Sequence, residues 1–247
     1  MQTQYQYFKE YSRYMKREME FKVYGQAGRP CLVLPAMGHR FYEFEDCGMV
    51  DAAARWIEAG QLQLFCADAP NGAEVTPQTQ ERWFCYLTEE LLPRLRALNG
   101  GEAPVLAAGC GQGACQAVNL HLRRPEACSG VIGLSGRYET ANVYGRGPED
   151  LIYRNSPLAY LPHLTEKALE RLRGQEPMML CAGRGPGDEQ ALEETRRLGE
   201  TLEAKKLPVW VDEWGTDVTP DWAWWQRQWS YFLEKALETK SKDQSAE

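Results

Sequence analysis

Two hydrophobic periods alternate along the chain. Short, mostly apolar runs stand at 31–34, 62–67, 105–108, 131–134, 178–181 and 209–211, and runs of that length without regular polar alternation suit strands buried on both faces of a parallel sheet. Between them apolar residues recur every three or four positions, the mark of helices with one buried face. The first such helix is predicted near 49–59. A second begins after Thr76, an N-cap followed by Pro77 in the first helical position; it turns Phe84, Leu87, Leu91, Leu95 and Leu98 inward, with a kink expected at Pro93. Ala114, Ala117, Val118 and Leu122 mark a third, and Leu192, Thr195, Leu198 and Leu202 a fourth. Trp222, Trp225, Trp229, Phe232 and Ala236 mark the closing helix. Ahead of all these, 5–11 and 19–24 alternate partly around the polar stretch 12–18, which predicts an antiparallel hairpin.

The pattern implies an α/β fold: a mostly parallel central sheet with helices on both faces and an N-terminal antiparallel hairpin. A single domain is expected over 1–240, with a polar, frayed tail at 241–247, because 247 residues suffice for one well-buried core. Residues from about 137 to 176, with a short helix near 166–173, break the alternation and read as a cap-like insertion. In such a fold the ligand site lies at the carboxyl ends of the strands.

One turn stands out. In PVLAAGCGQGACQAVNLHLRR, residues 104–124, an apolar strand breaks into Gly109, Gly111 and Gly113 and then becomes a helix. Glycines so placed fit a sharp reversal in which backbone approaches backbone and one residue takes positive φ. Two chemistries use that turn: the nucleophile elbow G-x-S-x-G, and the dinucleotide pattern G-x-G-x-x-A, matched by Gly109, Gly111 and Ala114.

Composition narrows the choice. The net charge is −7, with Lys and Arg scattered among acids, so a nucleic-acid partner is not expected. No apolar run approaches the roughly 18 residues of a membrane span, and the opening residues lack the apolar core of a secretion signal; a cytoplasmic protein without membrane contact is expected. The eight cysteines include no C-x-x-C pair, and Cys31, Cys66, Cys110 and Cys181 lie in or beside strand runs, as reduced core thiols do. The three histidines, His39, His121 and His163, show no metal-ligand spacing, so neither metal nor cofactor is expected.

The segments GRPCLVLPAMGHRFYEFEDCGMVDAAARWIEAGQLQLFCAD, GCGQGA, NSPLAYLPHL and WGTDVTPDWAWW resemble those of esterase D-like esterases of the α/β-hydrolase superfamily, and the resemblance covers nearly the whole chain. It implies a serine at the centre of the elbow, an acid after the next strand but one, and a histidine after the last strand in a setting like H-D-W-x-W-W. Here the serine slot holds Gly111 and the histidine slot Pro220, while the acid is Asp188 or, failing that, Glu189. Glycine has no attacking group, a serine hydroxyl needs a base, and no histidine follows residue 163. The expectation is a catalytically degenerate esterase fold that keeps a small-ligand pocket. The backbone N–H groups of Met37 and Gln112 would form the oxyanion donors, and Met37, Gly38, Gln112, Asp221 and Trp222 would face a small acyl or anionic ligand.

Three alternatives stay open. A carboxylic ester hydrolase would recruit a displaced nucleophile, Cys110 first, with His39 as base; against it, the residue before the elbow's centre should point into the sheet. Cys115, in the first turn of the next helix, meets the same objection; Ser135 lacks an elbow, His121 reads as a core residue and His163 as a cap residue. A dinucleotide site would need an acid ending the following strand, where the chain has Ser135, Gly136 and Arg137, with Glu139 displaced. A scaffold or partner-binding role would use the hairpin aromatics Tyr5, Tyr7, Phe8, Tyr11 and Tyr14, and a homo-oligomer fits any of these readings.

Overall fold

The hairpin comes first: β1 (Tyr5–Ser12) and β2 (Arg17–Tyr24) pair antiparallel through a four-residue turn shorter than the polar stretch suggests. Then follow β3 (Arg29–Leu34), β4 (Leu62–Ala67), β5 (Val105–Cys110), β6 (Cys128–Leu134), β7 (Met178–Gly183) and β8 (Val209–Trp214). All eight lie in one sheet, in the order β1-β2-β4-β3-β5-β6-β7-β8. The β1/β2 and β2/β4 pairs are antiparallel and the rest parallel. The computed structural model describes residues 3–36, 38–140 and 147–243.

Alternate strand residues feed two cores. Leu32, Leu34, Phe65, Ala67, Val105 and Ala107 face α4 (Pro77–Tyr86), α5 (Leu92–Asn99), α6 (Gln112–Arg123) and α10 (Glu189–Ala204). Cys31, Val33, Leu64, Cys66, Leu106, Ala108 and Cys110 face the opposite layer, built by α1 (Glu43–Asp46), α2 (Met49–Ala52), α3 (Ala54–Glu58) and α11 (Trp222–Asp243). From β3 the chain passes to β4 on one side and then returns to β5 on the other, so β3 and β5 border the switch point where α/β sheets bind ligands.

Three sequence expectations change in detail. The helix expected near 49–59 is two short pieces, α2 and α3, which meet at Ala53 at φ −101° and ψ −2°; Gly48 at φ +70° sets them off from α1. Thr76 caps α4 as its composition predicts, accepting from the Thr79 N–H at 3.1 Å. The missing N–H of Pro93 is absorbed by a wide turn at Leu87–Leu91 leading into α5. The tail expected after residue 240 continues as α11 to Asp243, and 244–247 lie outside the described residues. Within 137–176 stand α7 (Glu149–Arg154), α8 (Pro157–Tyr160) and α9 (Glu166–Arg173), the last on its predicted boundaries.

Candidate functional site

Gly111 joins β5 to α6 at φ +54° and ψ −117°, a conformation that side-chain-bearing residues adopt only under strain. Its N–H donates to the Leu134 carbonyl at 2.8 Å, which fixes the turn against the end of β6. The flanking glycines are needed for packing. A Cβ on Gly113 would stand 2.1 Å from the Leu34 oxygen, and one on Gly109 would stand 2.4 Å from the Gly113 carbonyl carbon. Gly111 differs: a Cβ there meets nothing within 4 Å among the described residues. The elbow thus keeps its shape and leaves open space where a nucleophile's side chain would stand.

The acid position is occupied. Asp188, 1% exposed, stands at the start of α10 and accepts at Oδ2 from the Gly183 N–H at 2.6 Å and the Ser135 hydroxyl at 2.9 Å. Its Oδ1 is buried and has no hydrogen-bond partner among the described residues. Burial pushes the carboxyl above its ordinary range, and the two donors oppose that rise. Glu189 is exposed and accepts from the Gly187 N–H at 3.0 Å, so of the two candidate acids Asp188 is the one turned inward. The ring of Pro220 lies beside the Asp188 loop: a Cβ on Gly187 would be 3.6 Å from its Cγ and Cδ. In place of an imidazole, the carboxylate meets a chain of neutral donors, since Trp225 Nε1 donates to Ser135 Oγ at 3.0 Å and Ser135 donates onward. Ser135 holds this position at φ +49°, a strained angle for serine. Sequence spacing gave no sign of this relay.

The loop from β3 to α1 borders the same turn, because the Leu34 and Pro35 carbonyls press on Gly113. It is braced from below by groups the sequence reading passed over. Glu43, 2% exposed, accepts the Ala36 N–H at 2.8 Å, and Arg40 makes a bidentate pair with the buried Asp68 at 3.0 and 3.0 Å. Desolvation raises the Glu43 carboxyl, while the Ala36 N–H and His39 act in the opposite direction. The Arg40 signal was legible in principle: an acid ending a buried strand needs a charged partner. His39 is exposed, with Nδ1 3.2 Å from Glu43 Oε1, and Gly38 beside it is exposed at φ +84°. Met37 lies outside the described residues.

The remaining candidates separate. Cys110 is fully buried in the core layer shared with Phe44 and Trp229, and burial first, then the Glu43 charge, hold its thiol protonated. Cys115 is buried on the opposite face. His121 is 1% exposed, bonds the Cys128 carbonyl through Nδ1 at 2.8 Å, and is pushed down to about 4 by burial, so it stays neutral. His163 is exposed in the cap, and Glu139 is exposed and paired with Arg197 at 3.2 Å. Gln112 opens α6 directly after the elbow. Asp221 is exposed and acts as the N-cap of α11, accepting the Trp224 N–H at 3.1 Å; hydrogen bonds from Thr219 and the Trp224 N–H hold its carboxyl below the ordinary value. Trp222 is half-buried, edge-on to Trp225 at 4.8 Å between ring centroids. Tyr5, Tyr7 and Tyr11 are exposed on β1, whereas Phe8 stacks on Phe21 at 4.7 Å and Tyr14 packs against the core.

Among the described residues no helix is long and apolar enough to cross a membrane. No protein-family model matches the sequence, and no curated protein matches it either. Solved structures match it in shape. A ferulic acid esterase aligns with a TM-score of 0.76 over 92% of this chain and 95% of its own, at 15% identity. An S-formylglutathione hydrolase from Agrobacterium tumefaciens gives 0.77 over 96% and 95%, at 14% identity. MPT51 (FbpC1) of Mycobacterium tuberculosis gives 0.74 over 95% and 98%, at 13% identity. At these identities the likeness carries fold and not activity. The sheet order, the elbow and these neighbours together establish that the chain has the α/β-hydrolase fold found in these esterases.

Proposed function

We propose that this protein is a catalytically degenerate esterase-fold protein that binds a small acyl or carboxylate-bearing ligand at the elbow without cleaving it. The observation that carries the reading is Gly111: the elbow's backbone geometry persists, with open space above it, but no nucleophile projects from it. Two further features support it. The base slot holds Pro220, and the acid that would orient a histidine is instead bonded to Ser135. A displaced-thiol hydrolase gains nothing from the geometry, because Cys110 is buried on the far side of the strand from α6 and held protonated.

The test is equilibrium titration of the whole chain with butyrate, ethyl butyrate and inorganic phosphate, read by tryptophan fluorescence, since Trp222 and Trp225 stand beside the Ser135–Asp188 relay. A saturable change with butyrate or its ester, and no product in the cell afterwards, is the expected result. Flat titrations with both, or release of ethanol, would overturn the proposal.

A further inference from the structure

A second concavity opens at the far end of α6. The helix begins at the elbow and runs 12 residues to Arg123, which places its last turn about 18 Å from Gly111. There α6, α7 and α9 enclose a cavity of about 370 Å³, within the range of small-molecule pockets. Its floor is apolar, from Leu122, Pro125, Leu164 and Ala168. Tyr160 and the exposed Tyr153 form an aromatic wall, edge to face at 6.3 Å.

Among the described residues every charged one lining this cavity is an arginine, in a protein whose net charge is −7. Two of the three are neutralised. Arg123 forks onto Glu81 at 3.1 and 2.5 Å and lies over the Phe84 ring, and Arg171 pairs with Glu126 at 2.5 Å. Arg154 has no ion pair among the described residues; neither Glu149 nor Asp150, on the same helix, pairs with it. The wall behind it is rigid. Tyr160 donates to Asn119 at 2.9 Å, Asn119 to Asn155 at 3.1 Å, and Asn155 to Glu81 at 3.3 Å, with both asparagines fully buried. Buried amides are tolerated only when bonded in this way, and the network fixes α7 against α6 so that the cavity stays open.

We propose that this cavity is a binding site for an aromatic monocarboxylate, its ring seated on the apolar floor against Tyr153 and Tyr160 and its carboxylate paired with Arg154. One uncompensated guanidinium matches one negative charge, and a planar fork suits a carboxylate. The site is separate from the elbow and stands whether or not the elbow binds a ligand.

The experiment is calorimetric titration of the full chain with benzoate, benzyl alcohol and inorganic phosphate. Benzoate is expected to saturate, with benzyl alcohol and phosphate at least ten times weaker. Arg154→Leu, at an exposed position that no core packing depends on, should weaken benzoate at least tenfold, and Arg154→Lys should restore part of the loss. In 5-fluorotryptophan-labelled protein, any benzoate-induced shift of the Trp222 and Trp225 resonances reports the elbow and should be the same in wild type and Arg154→Leu. Absence of saturable benzoate binding, binding indifferent to Arg154→Leu, equal affinity for phosphate, or a Trp222 or Trp225 shift that Arg154→Leu removes would each overturn the proposal.

Discussion

Replacing Gly111 separates backbone strain from packing at the elbow. At φ +54° and ψ −117° any residue with a Cβ is strained, and the open space around that Cβ means that nothing else changes. A residue in so sparsely populated a region costs about 1–3 kcal/mol. For a chain of this size each kcal/mol moves Tm by about 2–4 °C, so both Gly111→Ser and Gly111→Ala should melt roughly 2–12 °C below wild type. The two should agree closely, because the strain belongs to the backbone and no described residue beyond the chain neighbours stands within 4 Å of that Cβ. Gly113→Ala is the contrast, since its Cβ would lie 2.1 Å from a backbone oxygen and the loss should exceed that of either Gly111 variant. Urea unfolding followed by circular dichroism measures all three. If the elbow were relaxed, Gly111→Ala would instead stabilise by about 0.4–1 kcal/mol through the unfolded chain, and that gain would refute the reasoning.

Further predictions concern ionisation and access. Asp188 is raised in the folded state, so that state binds more protons than the unfolded chain, and the group's contribution falls as pH rises above about 3.8. Asp188→Asn escapes this loss while keeping an oxygen for Gly183 and Ser135; its stability relative to wild type should grow in urea melts as pH rises above about 3.8. His121 is lowered to about 4, so the stability it contributes is full above 6.5 and is lost as pH falls toward 4; His121→Gln should flatten that part of the stability profile by an amount of the order of 3 kcal/mol. Of the cysteines, only Cys47 and Cys85 are partly exposed, so Ellman's reagent should modify two thiols rapidly in the native protein and the other six only on unfolding. Rapid modification of Cys110 would contradict its placement.

The parallel strands were legible because runs such as 105–108 and 178–181 are apolar on both faces, and only a covered sheet tolerates that. The elbow was legible from three alternate glycines, since each meets a separate backbone requirement. The break within 49–59 was not, because the apolar spacing continues across Ala53 while the helix does not. The relay from Trp225 through Ser135 to Asp188 joins residues 90 and 53 positions apart, and no local spacing encodes it. Asp221, expected to face a ligand, caps α11; an acid just before a helical run signals that role as strongly as it signals a site. The brace from Arg40 to Asp68 likewise depends on the β3/β4 pairing, which brings two loop starts together.

The central claim is that an elbow without a nucleophile binds and does not cleave. Its most direct test is hydrolysis of p-nitrophenyl butyrate by the pure wild-type protein, beside Cys110→Ala and His39→Ala variants and an active esterase. The account predicts release of p-nitrophenol at the buffer rate from wild type and both variants. Turnover by wild type above that rate would contradict it, and its loss in either variant would identify the residue responsible.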